Sequence, residues 1–326
     1  MSDEWSSVSL NSSLSVLIPA YNESEYIEQT LRSVIASAKN WQGEVRIIVF
    51  DNGSTDKTNS IIRQIQAEHA PLVLLESRIN MGSRYSWTHL LSAVTTDFFI
   101  ILGAHDWISD NYLNLMQKTL SENVDVAVFG REIMVVETDS GWIEKPIENY
   151  LVLSKNSLLK ALQLVFFQYH NSIAHSIFPS NIIGKIPLQK IKVIHFDLVL
   201  SFYFFSQVSL TYNFDAKFYR RYRNQIDGYF AHINSAGEIE DRVERVIGAS
   251  SELFSDEYIS KELVAALHDF LPKCWNAPVE YILRGKYRLT GLSWFAFRSS
   301  RFIFGKILRQ KANFKFAKTD LNLLQL

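Results

Sequence analysis

The chain of 326 residues has a single cysteine, Cys274. That excludes an intramolecular disulfide framework and any zinc site built from several thiolates, and it points to a reducing compartment. Met1 to Ser13 is polar and serine-rich, with no basic segment leading into an apolar core, so no secretory signal is expected. A run of about eighteen uncharged apolar residues is missing too, which argues against a membrane-spanning helix. There is no glycine-rich triphosphate loop followed by lysine, which disfavours nucleotidyl transfer, and no nucleic-acid module, so no nucleic-acid partner is expected. Acidic residues are absent from Tyr281 to Thr319, a stretch that holds ten basic ones. With Asp320 the last charge and a whole-chain net charge of −1, residues 1–280 carry −10. An acidic body with a basic tail suggests that the tail meets something anionic.

What is present is a large apolar core. At 47% hydrophobic and 13% aromatic residues the chain is not disordered and holds one main domain plus an addition. The stretch that organises it is VFDNGSTDKT, Val49 to Thr58. An apolar run, Val45 to Phe50 broken only by Arg46, reads as a strand buried on both faces. It ends in an Asp-Asn-Gly-Ser-Thr-Asp turn where Ser54 or Thr55 can cap a helix starting near Asp56. Before it, Leu14 to Ile18 reads as a strand, Pro19 to Asn22 as its exit loop, and Glu25 onward as a helix with Ile27, Leu31, Val34 and Ile35 on one face. After it come a strand at Leu72 to Leu75, a helix from about Tyr85 to Val94, and a strand at Phe98 to Leu102 that runs into Gly103-Ala104-His105-Asp106. Strands alternating with helices predict an α/β fold with a doubly wound, largely parallel sheet, and ligands gather beyond the carboxyl ends of such strands. A carboxylate, an amide, a glycine and a helix amino terminus delivered to one such spot suit a nucleotide.

Taken together, SVLIPAYNE, VFDNGSTDKT, the Asn80-x-Gly82 loop and a strand ending in His105-Asp106 resemble the amino-terminal half of family-two glycosyltransferases with the GT-A fold. HFDLVLSFYFF, His195 to Phe205, resembles that family's late Glu-Asp helix, and KFYRRYRNQ, Lys217 to Gln225, its closing Tyr-Arg segment. The likeness runs from Leu14 to about Arg223. It implies an inverting transferase that moves a sugar from a nucleotide diphosphate donor, UDP or dTDP, to a hydroxyl of a glycan or lipid-linked acceptor, as in surface polysaccharide synthesis.

The resemblance carries over residue by residue. Pro19, Tyr21, Glu23, Asp51, Asn52, Asn80, Gly82, Arg84, Ala104 and His105 are expected around the donor nucleotide. Tyr21 stands where the family stacks a tyrosine on the base, although a loop tyrosine that covers the core explains it equally simply. Asp51 and Asn52 replace a pair of aspartates. Asn52 offers a carbonyl and an amide to a pyrimidine, and Asp51 either shares in binding or only orients the turn. The family's Asp-x-Asp-Asp corresponds to Gly103, Ala104, His105 and Asp106. His105 and Asp106 are expected to hold a divalent cation, manganese sooner than magnesium because manganese tolerates an imidazole; the other reading has His105 donate to phosphate directly. Arg220 and Arg223 are expected at the diphosphate, with Arg221 a further candidate; of three arginines on a strand at most two share a face. Asp197 is the expected catalytic base, which takes the acceptor hydroxyl's proton. Phe196 stands where relatives carry glutamate. His170, Asn171, His175 and Ser176 fall in the part that supplies the acceptor side, where lone histidines are as readily core or loop residues.

Three segments are expected: a flexible tail over 1–13, a GT-A catalytic domain over 14–228, and a helical C-terminal extension over 229–326. In the extension, Trp294, Phe295, Phe302, Phe304 and Leu308 interleave with arginines and lysines at spacings that allow an amphipathic helix. Such a helix either lies on an anionic membrane surface or packs on the catalytic domain or a second subunit of a homo-oligomer. The expected location is the cytoplasm, at the inner face of the membrane. A reading from another class is a pseudoenzyme that binds nucleotide but has lost catalysis along with the missing aspartate.

Overall fold

The computed structural model describes residues 11–69, 71–123, 126–138, 141–147, 174–185, 200, 203–205 and 207–222, all within one compact unit. In chain order the elements are β1 (Leu14–Ala20), α1 (Ile27–Ala38), β2 (Val45–Asp51), α2 (Thr58–Glu68), β3 (Leu72–Glu76), α3 (Ser83–Ser92) and β4 (Phe98–Ile101). These are followed by β5 (Trp107–Ile108), α4 (Tyr112–Ser121), β6 (Val126–Thr138), β7 (Gly141–Pro146), β8 (Phe178–Pro179) and β9 (Ser209–Tyr222).

The four apolar runs of the amino-terminal half make the main sheet, in the order β3-β2-β1-β4-β8. β1, β2, β3 and β4 are mutually parallel, and the short β8 closes the β4 edge antiparallel. β1 and β4 carry no charged residue because helices cover both faces of such a sheet and leave no wet side. On α1 the buried positions are Ile27, Thr30, Leu31, Val34 and Ser37; Ile35, expected on that face, is half-buried. The chain winds outward from β1 to β2 and β3, then returns past β1 to form β4. The sense of winding therefore reverses between β1 and β4, and a crevice opens there beyond their carboxyl ends.

A second sheet, β5-β9-β6-β7, is not legible as such in the sequence. β5 leaves the main sheet directly after the β4 loop and pairs antiparallel with β9, Trp107 opposite Tyr219. β9 runs parallel to β6, with an irregularity between Gly130 and Arg131. At Gly130 the chain has no room for a side chain: a Cβ there would lie 2.5 Å from the Ala216 carbonyl oxygen and from the Tyr112 ring.

The two sheets are tied at one point. Asp106, 3% exposed, follows β4, and its Oδ1 accepts the backbone N–H of Arg221 on β9 at 3.0 Å. The Arg221 side chain, 8% exposed, turns the other way into a box of rings, its guanidinium carbon 4.0 Å from the Tyr26 centroid, 4.9 Å from Trp107 and 4.8 Å from Trp142. Its Nη2 donates to Gln29 on α1, and Trp107 stacks on Tyr219 at 5.0 Å. Burial lowers the Arg221 pKa, and the neighbouring Tyr26 and Asp106 work against that shift. A guanidinium suits the place because it stacks flat on aromatic faces while staying charged. Among the described residues no helix is long and apolar enough to cross a membrane.

Arg221→Met keeps the side-chain volume but removes the cation, and urea denaturation is expected to register a loss of roughly 2–3 kcal/mol. A loss below about 0.5 kcal/mol contradicts a joining role for Arg221.

Candidate active site

The crevice between β1 and β4 is lined by the loops that leave β1, β2, β3 and β4, and these loops are laced to one another by side chains. Asn22, in a left-handed conformation at φ 53°, joins the first two. Its backbone N–H donates to Ser54 Oγ at 2.9 Å, and its Oδ1 accepts the N–H of Thr55 at 2.8 Å. Ser54 and Thr55 are thus occupied with the neighbouring loop rather than with capping α2, as expected from the sequence. The start of α2 is held by Asp56 instead, whose Oδ1 accepts the Thr58 N–H at 2.9 Å and whose Oδ2 accepts the Ser24 N–H at 3.1 Å. Burial raises the Asp56 pKa, but the hydrogen bonds from Thr58 and Ser24 outweigh it and hold the carboxyl at about 2. Thr58 Oγ1 in turn accepts the N–H of Glu23 at 2.7 Å.

Asp51, at the end of β2, is buried, and both its oxygens are in use: Oδ1 accepts from Ser54 N–H at 3.0 Å and Oδ2 from Asn59 Nδ2 at 2.8 Å. Asn52 reaches the third loop. Its Nδ2 donates to Asn80 Oδ1 at 3.0 Å and to the Gly82 carbonyl at 3.1 Å, while its Oδ1 accepts the Met81 N–H at 2.9 Å. Asn80 Oδ1 also accepts the Gly82 N–H. The loop lies directly on Gly53, where a Cβ would come within 2.5 Å of the Ile79 backbone, and Gly53 has φ 73°. Asn80 and Gly82 are therefore held by the residue beside which the sequence placed them, and Asn52 spends its amide on that hold.

Tyr21 is 41% exposed, and Ile79 and Met81 in the third loop are exposed as well. Pro19 is half-buried in β1, opposite Phe50. Arg84 is exposed in the first turn of α3. Across the crevice, Glu23 and His105 meet, with Glu23 Oε1 3.1 Å from His105 Nδ1. Ala104 is buried; its carbonyl oxygen and that of Asp106 lie 2.9 and 2.7 Å from the Thr30 hydroxyl, which fixes the β4 loop on α1. Arg220, next along β9 from the boxed Arg221, carries its guanidinium 3.7 Å from the buried Glu132. Strand alternation thus parts the arginines, Arg220 on one face and Arg221 on the other. Asp197, Arg223, His170, Asn171, His195, Phe196 and the basic aromatic tail lie outside the described residues.

The β4 loop also tests the expected cation site. Asp106 Oδ1 is bonded to β9, and a Cβ on Gly103 would meet Asp106 Oδ2 at 2.5 Å. A side chain at position 103 would have to displace this carboxylate, whose other oxygen is bonded to β9, and the glycine avoids that. His105 has its Nδ1 on Glu23. Among the described residues no three histidine, cysteine or acidic side chains are grouped to hold a metal ion. Asp106 thus gives one carboxylate oxygen to the fold, and His105 gives one ring nitrogen to Glu23. Thr30, which the motifs did not single out, fixes the β4 loop on α1, while Gly103, Asp56 and Arg221 act through packing and hydrogen bonds within the fold rather than in the roles the sequence suggested. Thr30 carried no signal in the sequence beyond its place on α1.

The profile described as Glycosyl transferase family 2 matches residues 15–177, half of the chain, and the protein belongs to that family. It is 27% identical over 120 residues to the abequosyltransferase RfbV of Salmonella typhimurium, which covers 36% of this chain and 36% of that protein. The chain thus spans well under half the length of this curated relative. Among solved structures it is similar to S. aureus TarS 1-349 in complex with UDP-GlcNAc, with TM-score 0.58 and 15% identity over 85% of this chain and 76% of that one. It is also similar to the mannosyltransferase PcManGT from Pyrobaculum calidifontis in complex with GDP-Man and Mn2+, with TM-score 0.50 and 14% identity over 93% of this chain and 84% of that one. The architecture is that of GT-A glycosyltransferases.

Putting the family's aspartates back is expected to harm this chain. Gly103→Asp drives a side chain into the Asp106 carboxylate, and Asn52→Asp removes two donors from the third loop. Each is expected to cost roughly 1–3 kcal/mol in chemical denaturation, and unchanged stability in both refutes the loop-locking roles.

The acid limb of stability tests Asp56. Its folded pKa of about 2 lies below the unfolded value, so its contribution is complete above about pH 4 and is lost as pH falls toward 2. The side chain is exposed, so Asp56→Asn is expected to flatten the decline over that window only modestly, by less than about 1 kcal/mol. A decline of the same steepness in Asp56→Asn and the wild type contradicts this.

Proposed function

We propose that the protein is an inverting glycosyltransferase that moves a sugar from a nucleoside diphosphate donor, UDP- or dTDP-linked, to a hydroxyl of a glycan or lipid-linked acceptor. The observation that carries this reading is the meeting of four strand-exit loops at the winding reversal, with the exposed Tyr21 ring at one side and Glu23 and His105 facing across it. In this reading Tyr21 stacks on the base. Asp51 and Asn52 act by shaping the wall that receives the nucleoside, with Asn80 and Gly82 as its outer edge. Arg84, His105 and Arg220 meet the diphosphate charge, and no step is routed through a cation. The acceptor oxygen attacks the anomeric carbon from the side opposite the nucleotide, and the bond from that carbon to the phosphate oxygen breaks with its electron pair leaving on the diphosphate. Asp197 takes the hydroxyl proton. The proposed place of action is the cytoplasmic face of a membrane, reached through the basic aromatic tail.

The commitment of Asp106 to the fold favours a second reading, a nucleotide-binding protein without turnover. Calorimetric titration with UDP, dTDP and GDP, each with manganese and with a chelator, separates the two when joined to an assay of donor hydrolysis. The expected result is a pyrimidine nucleotide bound at least tenfold tighter than GDP. Asp197→Asn is expected to bind the donor as the wild type does while turnover falls by about 10²-fold or more. Binding without hydrolysis or transfer on any donor selects the second reading, and the absence of binding to all three nucleotides overturns both.

A further inference from the structure

His175 is an imidazole whose ring is oriented by the fold on two sides. Its Nδ1 lies 2.6 Å from the carbonyl oxygen of Ile101, the last residue of β4. A carbonyl only accepts, so Nδ1 carries the proton and donates it. The ring is stacked on Phe218 of β9, centroids 5.3 Å apart and planes 19° apart. Those two contacts fix both the tautomer and the direction of the ring, which leaves Nε2 as a lone pair. Nε2 has no hydrogen-bond partner among the described residues, although the ring is not fully buried. Charged neighbours surround it: burial, Arg220 and His105 lower its pKa, against an opposing effect from Asp106 and from the Ile101 carbonyl. The ring thus sits between the carboxyl end of β4, at Ile101, and Phe218 of β9, two residues before Arg220.

A neutral imidazole that presents only a lone pair selects its ligand by chemistry. A phosphate oxygen is itself an acceptor and gains nothing there, whereas a hydroxyl or an amide N–H donates to it. Resting on the transferase reading above, we propose that His175 Nε2 accepts a hydrogen bond from a sugar hydroxyl and so positions a sugar in the crevice, as a specificity-determining residue distinct from the groups that meet the diphosphate. The hydroxyl belongs either to the donor sugar or to the acceptor, which share this chemistry.

The test compares wild type with His175→Phe, which keeps a flat ring on Phe218, and with His175→Gln, which restores an acceptor. Calorimetry is run with UDP- and dTDP-linked hexoses and with free UDP and dTDP. If the donor sugar is the ligand, His175→Phe binds the free nucleotide as the wild type does but the nucleotide sugar roughly five- to tenfold more weakly, with partial recovery in His175→Gln. If the acceptor is the ligand, donor binding and donor hydrolysis are unchanged, and the KM for acceptor rises by a similar factor while kcat holds. Equal weakening of free nucleotide and nucleotide sugar in His175→Phe, or no change in any of these quantities, overturns the proposal. A wild type that binds no nucleotide at all overturns the transferase reading instead, so the two failures are distinguishable. Thermal unfolding of both variants is followed in parallel, and if His175→Phe unfolds, the same comparison is made with His175→Gln alone, where loss of the free nucleotide's affinity again counts against the proposal.

Discussion

The structure depends on one buried carboxylate. Asp106 accepts a backbone N–H from β9 and lies against the only kind of residue that leaves it room, the glycine at position 103. Removing a carboxylate from water is costly unless its oxygens find donors or close, orienting neighbours, so a buried one is held wherever its partners are. Because Asp106 follows the carboxyl end of β4 and Arg221 stands near the end of β9 in the second sheet, satisfying this group brings the two sheets together. The next residue, Trp107, then begins β5 on the far side of the join, and the Arg221 side chain locks in among Tyr26, Trp107 and Trp142.

The same economy of small polar contacts builds the crevice. Loops that leave parallel strands have unpaired backbone donors, and here Asn22, Asn52, Asp56 and Thr58 satisfy donors of a neighbouring loop while Asp51 satisfies one in its own. Each loop is thereby positioned by its neighbour, which makes the wall of the site rigid without metal or disulfide. Rigidity of this kind matters to a group-transfer site, where reacting atoms must be held in line and water kept out. It also explains how Asp51 and Asn52 serve a site without pointing charge into it.

Much of the fold was legible along the chain. Runs such as Leu14 to Ile18 and Phe98 to Leu102 are apolar throughout because both faces of a parallel strand are covered, and that pattern survives in one dimension. The spacing of Ile27, Leu31 and Val34 similarly marks the buried stripe of α1. The roles of individual polar residues were less legible. Ser54 and Thr55 have the chemistry of helix caps, but Asn22 from another loop takes both, its backbone N–H on the Ser54 hydroxyl and its side-chain oxygen on the Thr55 N–H, and α2 begins at Thr58. Three arginines in four residues invited a phosphate site, yet strand alternation sends one of them into an aromatic box.

The sequence by itself determined the class of fold, the order of the strand, loop and helix units, and the family, because these follow from local hydrophobic period and from short motifs whose residues are neighbours along the chain. Only the tertiary structure decided which polar groups are committed to the protein and which are left for a ligand. Asp106 and Asn52 look like ligand-binding groups until their partners at Arg221 and Asn80 are seen, and His175 looks like an ordinary loop histidine until Ile101 and Phe218 orient it. Hydrogen-bond capacity is finite, and the partners that use it up come from strands far apart in sequence.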